Sequence, residues 1–286
     1  MANIRDIRRR IRSAKNIQQI TRAMKFVSAA RLRKAQERVI AARPYARQML
    51  AVLNSLASRV PEQSHPLLAQ RDGSRIELVV ITADKGLCGA YNTNILKRAL
   101  EFFVAHSAAT VEFNILGKRG RDFFRRRSYS VRNEAINVLQ KPSFADAAAI
   151  ARDIIEEFVQ GKKDQVWLLY NEFKSVVHQH VVVEPLLPIK KLDGLEQAHL
   201  VEYLYDEPPV QIFNNLLPRH VESQVFRALL EAAASEQGAR MTSMDAATKN
   251  ASEMIDSLTL YANKVRQAGI TKELIEVVSG AAAAGS

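Results

Sequence analysis

Two long stretches at opposite ends of the chain repeat apolar and small residues every 3.5 positions, and that repeat constrains the fold more than any other feature. From the start, Ile4, Ile7, Ile11 and Ala14 step by three and four, and Ile17, Ile20, Met24 and Val27 repeat those steps. Leu32, Ala35, Val39, Ala42, Ala46, Met49, Leu53 and Leu56 continue them. Such a seam predicts a coiled coil. Read this way, the seam shifts at 14→17 and at 27→32, which predicts uneven supercoiling. Pro44 predicts a kink. Near the other end, Val221, Val225, Ala228, Ala232, Ser235 and Ala239 form one seam. Met241, Met244, Thr248, Ala251, Ile255, Leu258, Ala262, Val265 and Gly269 form the next. Pro218 predicts a helix start near residue 219. At 1.5 Å per residue the two helices would reach roughly 80 and 90 Å. Each seam is too apolar to leave in water, so the ends are expected to pair antiparallel as a slim rod.

Between about 70 and 200 the period changes. IELVVIT (76–82), VEFNIL (111–116) and QVWLLY (165–170) read as buried strands, with helical patterns near 92–105 and 144–160. Alternation of this kind predicts a parallel sheet with right-handed crossovers. SVVHQHVVVEPLL (175–187) reads as a further strand ended by Pro185 and Pro188. The predicted fold is α/β plus a long antiparallel coiled coil, with the α/β part inserted between the two helices. The expected boundaries are 1–60 for the first helix, 70–205 for a central Rossmann-like domain and 208–286 for the last helix.

Charge is concentrated in the first element. Residues 1–60 hold fifteen Lys and Arg against Asp6 and Glu37, whereas the whole chain is +11. This field suits an acidic partner, nucleic acid or an anionic membrane surface. An Arg-rich start also fits a transit peptide, but the helical pattern runs far past the length of one. No run of eighteen apolar residues is present. A lone Cys88 excludes an internal disulfide.

Catalytic chemistry is thin. The turn DKGLCGAYN (84–92) follows a strand, as a phosphate loop would, but lacks the Gly-Lys-Ser/Thr of a P-loop and the third glycine of a dinucleotide fingerprint. It reads as a strand-to-helix turn, with Asn92, Thr93 and Asn94 as possible caps. His178 and His180 would share one face of a strand, with no third ligand at recognisable spacing. Arg125, Arg126 and Arg127 suit a helix C-terminus. Adjacent Glu156 and Glu157 cannot face each other on a helix. Cys88 has no evident base partner, and Trp167 reads as core.

Three segments carry a family resemblance: IRDIRRRIRSAKNIQQITRAMKFVSAARLRKAQ (4–36), DKGLCGAYN (84–92) and RQAGITKELIEVVSGAAAA (266–284). HVESQVFRALLEAAASEQGARMTSMDAATKNA (220–251) adds to them. Together they resemble the gamma subunit of bacterial F-type ATP synthases. The pattern Ile270, Thr271, Glu273, Glu276, Ser279, Gly280, Ala281 is the most specific part. The resemblance implies the central-stalk rotor, which couples proton flow through a membrane c-ring to conformational change in a ring of three alpha and three beta subunits. It also implies contact with the epsilon subunit, no nucleotide, metal or other cofactor on this chain, no membrane span, and a peripheral place on the cytoplasmic side of the bacterial inner membrane. Without a second cysteine, thiol regulation of the chloroplast type is not expected. Expected contacts with the alpha/beta ring are Arg8, Arg9, Met24, Lys25, Arg31, Arg33, Lys34, Arg266, Gln267, Thr271 and Glu273, with Lys25, Arg266, Gln267 and Glu273 the more angle-specific. The tail Gly280–Ser286 is expected to sit in an apolar collar. The competing classes are a basic coiled-coil protein that binds nucleic acid and a nucleotide-dependent enzyme. Steep salt-dependent DNA affinity would mark the first; ATPase activity of the isolated chain would mark the second.

Overall fold

The computed structural model describes residues 4–57, 65–71, 73–176, 179–189 and 208–284. The chain divides into two compact units: Met1–Val27 with Met241–Ser286, and Ser28–Arg240. Its longest elements are helix α1 (Ile4–Ala57) and helix α5 (Pro209–Ala284).

In the first unit α1 and α5 pair. Thr248 Oγ1 donates to Thr21 Oγ1 at 2.9 Å, and Lys25 Nζ meets Asp245 Oδ1 at 2.6 Å. Numbers rise on one helix as they fall on the other, so the pairing is antiparallel. On α1 the positions turned inward are Ile4, Ile7, Ile11, Ala14, Gln18, Thr21 and Lys25, in unbroken steps of three and four. The expected seam shift at 14→17 therefore does not occur. Ile17, Ile20 and Val27 are more than half exposed, while Thr21 is buried. Thr21 is tolerated there because its hydroxyl also reaches the Ile17 carbonyl at 2.9 Å. Ser28 and then Leu32 are buried as the same heptads require, so the shift at 27→32 is absent too. On α5 the seam follows expectation as far as Val265: Met244 and Ala251 are buried, and Met241, Thr248, Ile255, Leu258, Ala262 and Val265 half-buried, but Gly269, expected to end it, is exposed because α1 does not reach that far.

The second unit is built on a five-stranded sheet in the order β3-β2-β1-β4-β5. Its strands are β1 (Arg75–Ile81), β2 (Thr110–Leu116), β3 (Val131–Ala135), β4 (Gln165–Phe173) and β5 (Gln179–Leu187). β1 pairs in parallel with β2 and β4, and β2 with β3; β5 is antiparallel to β4. Central β1 is buried on both faces, which is why it reads as an apolar run, interrupted by the buried Glu77. Helices α2 (Tyr91–Ala105), α3 (Lys118–Arg125) and α4 (Phe144–Val159) connect the strands. One face packs α4 with Met49, Leu53 and Leu56 of α1 and Phe213 to Ala233 of α5. The other face packs α2 and Phe124 of α3.

Several expectations change here. Pro185 does not end β5 but lies inside it, opposite Trp167 beside a register shift. β5 is an edge strand, where a missing N–H is tolerated. His178 lies outside the described residues, and His180 is exposed. Pro44 lies within α1 without ending it. Helix α5 starts at Pro209, nearly three helical turns before the start near 219 that Pro218 suggested, because Phe213 and Leu217 are buried and hold the preceding turns. β3, VRNEA, has no apolar run and half-buries each of its residues.

Candidate interaction surfaces

An open parallel α/β sheet offers ligands a crevice beyond the carboxyl ends of its strands. In the second unit that region is occupied by α5. Tyr91 Oη donates to the Ala232 carbonyl at 3.1 Å, and Ser235 Oγ to the Asn171 carbonyl at 3.0 Å. The Phe173 amide donates to Glu231 Oε2 at 3.0 Å, and Arg240 Nη2 to the Gly86 carbonyl at 3.3 Å. Glu236 pairs with Arg240 at 2.7 Å, both nearly buried. Burial raises the Glu236 carboxyl above its usual range, against the pull of Arg240.

The glycine turn serves this packing. Leu87 and Gly89 take left-handed backbone. The α2 cap, Ala90, has no side-chain bond; Asn92 lies inside the helix and accepts the Ala83 N–H at 2.9 Å. The expected cap at residues 92–94 is thus replaced by a brace on the strand end. Asp84 Oδ1 accepts the amides of Lys118 and Asn137, both at 3.0 Å, so a carboxylate of the chain already sits at the start of α3. At Gly117, φ is +113° and an added Cβ would lie 2.0 Å from the Thr82 carbonyl oxygen. Cys88 is buried, and burial raises its thiol, which suppresses thiolate chemistry. Among the described residues, no group of three or more His, Cys, Asp or Glu is placed to hold a metal ion.

The sequence-predicted contact residues divide between the units. Arg8, Arg9, Met24, Lys25, Arg266, Gln267, Thr271 and Glu273 belong to the first, and Arg31, Arg33 and Lys34 to the second. Arg8, Arg266, Gln267 and Glu273 are exposed. Arg9 pairs with Asp6 at 3.1 Å and Arg33 with Glu37 at 3.3 Å, exposed intrahelical pairs worth little. Arg31 and Lys34 are exposed and Met24 half-buried. Lys25 is the exception: it spans the two helices to Asp245, whose carboxyl its bond holds below the usual range. Thr271 Oγ1 turns back to the Gln267 carbonyl at 3.0 Å.

Sequence reasoning missed the apolar surface around these residues. On α1, Ile17, Ile20, Phe26 and Val27 are exposed; on α5, Met254, Leu260, Ile270, Leu274, Ile275, Val277 and Val278. The pairs Thr21–Thr248 and Lys25–Asp245 place Ile4 level with about Val265, and described residues 266–279 are exposed. Clusters of this size on the surface mark contact sites. Their signal in the sequence was the second stripe, Ile17-Ile20-Val27, which reads as seam when only apolar residues are counted. The Gly280–Ser286 tail has its side chains, and residues 285–286, outside the described residues. Among the described residues no helix is long and apolar enough to cross a membrane. In the second unit, a groove of about 390 Å³ lies between α1, α4 and α5, lined by Val39, Tyr45, Phe144 and Phe226 with Arg43 and Arg219.

Comparison with known proteins places this arrangement. The family model described as ATP synthase matches residues 3–284. The chain is 55% identical to the ATP synthase gamma chain of Solibacter usitatus, over 99% of this chain and all of that one. It is 48% identical to the ATP synthase gamma chain of Desulfitobacterium hafniense, over 99% of each. A chain of the Euglena gracilis mitochondrial ATP synthase shares the fold with a TM-score of 0.68 at 20% identity, over 98% of this chain and 94% of that one. A chain of the Tetrahymena thermophila mitochondrial central stalk and c-ring gives 0.61 at 24%, over 80% and 99%.

Proposed function

Because the chain belongs to the ATP synthase gamma chain family, we propose that it is the central-stalk rotor of an F-type ATP synthase, turning inside a ring of three alpha and three beta subunits and meeting epsilon and the c-ring at its foot. The observation that carries this reading is the full-length likeness to gamma chains. The occupied crevice supports it: the α/β sheet spends its usual ligand site on holding α5, so the domain serves to grip a helix.

The mechanism follows from asymmetry. Three catalytic interfaces surround one shaft that presents a different face to each. Contacts that differ in free energy between open and closed interface states set which state each one occupies. Turning the shaft by a third of a revolution exchanges those roles. Nucleotide and its metal bind on alpha and beta, and this chain supplies no cofactor. It associates peripherally with the membrane complex, on the cytoplasmic side of a bacterial inner membrane.

Within this reading Arg8, Arg9, Met24, Lys25, Arg31, Arg33, Lys34, Arg266, Gln267, Thr271 and Glu273 contact the ring. Exposed ion pairs contribute about 0–1 kcal/mol each, and weak contacts suit a rotor because a strong lock at one angle would stall it. Lys25 is the least free of these, being tied to Asp245. Arg266 and Gln267, on the exposed stretch of α5, are the angle-specific candidates. Replacing both with Ala should leave assembly intact and lower coupled ATP synthesis by about fivefold, the rate equivalent of ~1 kcal/mol. Unchanged synthesis by the assembled variant would remove these residues from the coupling path.

A further inference from the structure

A charged cluster lies inside the second unit, on the sheet face covered by α4. Glu77 of β1 and Asn114 of β2 are both fully buried. Glu77 Oε1 accepts three bonds: from Asn114 Nδ2 at 2.8 Å, Arg132 Nη2 at 2.7 Å and Arg132 Nε at 3.2 Å. Arg132, on β3, also grips Asp153 of α4 through both terminal nitrogens, and Asn133 donates to the same carboxylate at 3.2 Å. Beside them Lys163 pairs with Glu112, which lies directly across from Glu77 in the β1–β2 register.

Two facts about this cluster do not fit an ionised Glu77. The first concerns its unused oxygens. Glu77 Oε2 and Asn114 Oδ1 are buried and accept no hydrogen bond. They are the remaining oxygens of one carboxyl and one amide already joined by the Asn114 N–H. A carboxylic acid and a primary amide are complementary: the amide N–H donates to the acid carbonyl, and the acid O–H donates to the amide carbonyl. A single proton on Oε2, donated to Asn114 Oδ1, would pair both orphans, which an ionised Glu77 leaves buried without a partner. The second fact is charge balance. Arg132 and Lys163 face three carboxylates, Glu77, Glu112 and Asp153. Each cation has a carboxylate besides Glu77, so ionising Glu77 adds an uncompensated buried charge opposite the like-charged Glu112.

We propose that Glu77 is a proton-binding site in the core of the folded chain, held as the neutral acid near neutral pH and closing a two-hydrogen-bond ring with the Asn114 side chain. Burial raises the Glu77 carboxyl and outweighs the opposing bonds from Arg132 and Asn114 and the nearby Lys163. Asp153 moves the other way: its bonds to Arg132 hold it below the usual range, which assigns the negative charge of the pair to α4. The charged and titratable groups facing Glu77 are thus Glu112 from β2, Arg132 from β3, Asp153 from α4 and Lys163 from the turn before β4. The proton comes from solvent on folding.

The sign of the linkage follows. An unfolded glutamate loses its proton near pH 4.3. The folded one keeps it, so above that pH the folded state binds one more proton, and the folding constant falls tenfold per pH unit until the folded group ionises. The test uses the full chain and Glu77→Gln, whose amide can make the same ring with Asn114 without a proton. Urea unfolding from pH 5 to 8.5 is expected to show wild type losing ground to the variant as pH rises, approaching tenfold per unit before levelling. A difference between wild type and variant that stays flat over this range would overturn the proposal, because an ionised Glu77–Arg132 pair carries no proton in either state above about pH 5. Carbon-13 spectra of the wild-type side-chain carboxyls decide the matter even if the variant does not fold. The Glu77 carboxyl, assigned through its backbone, should sit at the protonated position at pH 7. A signal at the ionised position refutes the neutral acid.

Discussion

The unbroken seam in the first unit makes a prediction that separates it from the apolar stripe beside it. Thr21 Oγ1 donates to the Ile17 carbonyl at 2.9 Å, and Thr248 Oγ1 shares its one proton between Thr21 Oγ1 across the seam at 2.9 Å and the Met244 carbonyl of its own helix at 2.7 Å. Replacing either with Val removes the cross-helix bond but leaves the partner hydroxyl satisfied locally, so each single change should cost about 0.5–1.5 kcal/mol. Replacing both puts two methyl groups of the same shape together and should cost close to nothing. The cycle therefore carries a coupling of ~2 kcal/mol, the sum of the two single costs, about thirtyfold in the local opening constant. Hydrogen exchange in segments 14–27 and 241–255 of the full chain reads that constant directly. Ile20→Ser, at a position 59% exposed, should leave the same amides unchanged within ~0.5 kcal/mol. Additive effects of the two Val substitutions, together with a large cost for Ile20→Ser, would show that the helices meet along Ile17 and Ile20 and refute the register. The pair also explains why polar residues occupy a seam: a polar layer fixes axial register at some expense in stability. A shaft that transmits torque needs its two helices not to slide.

Two further outcomes follow from the second unit. His220 is buried, and burial, aided by Arg227, lowers its imidazole to about 4 from 6.5. The unfolded imidazole takes up a proton below about pH 6.5 and the folded one does not until about 4, so stability is lost as pH falls through that window, by up to about 3 kcal/mol. His220→Met should flatten that limb in urea unfolding; an unchanged acid limb would clear His220 of the role. Gly117→Ala should destabilise by more than ~2 kcal/mol, since its φ is +113° and the added Cβ would strike the Thr82 carbonyl; a urea midpoint equal to wild type would contradict that geometry.

Legibility in the sequence tracked how far apolar spacing alone reports burial. It worked on α5, where Val221, Val225, Ala228, Ala232 and Ser235 are all fully buried. Even there it understated the case, because Leu229, Leu230, Ala233 and Ala234 are buried too, and a helix buried on all sides has no stripe to read. It failed on α1 between 14 and 28, where Gln18, Thr21 and Ser28 take the inward positions and apolar Ile17, Ile20 and Val27 face out. Counting only apolar residues cannot distinguish a seam from a partner-facing stripe one residue behind it. β3 escaped because VRNEA carries charge inward: Arg132 reaches Glu77 and Asp153. The brace from Asn92 to Ala83 and the Asp84 carboxylate at α3 depend on contacts between separate segments, so spacing gave no sign of them.

Those long-range contacts decide what the α/β domain can do. Four hydrogen bonds tie residues 231–240 of α5 to the end of β4, the glycine turn after β1 and the start of α2: Phe173 to Glu231, Tyr91 to Ala232, Ser235 to Asn171, and Arg240 to Gly86. They span about 14 Å of helix at 1.5 Å per residue. Two of them engage backbone carbonyls of β4 and the glycine turn, and one engages a carbonyl of α5 itself, so they fix backbone to backbone through single side chains. A ligand crevice must open and close to exchange its contents. A grip must not, and ties spread along nearly three helical turns resist both sliding and rotation of the helix against the sheet. The same strand ends that in an enzyme would release product are committed here to holding α5 still.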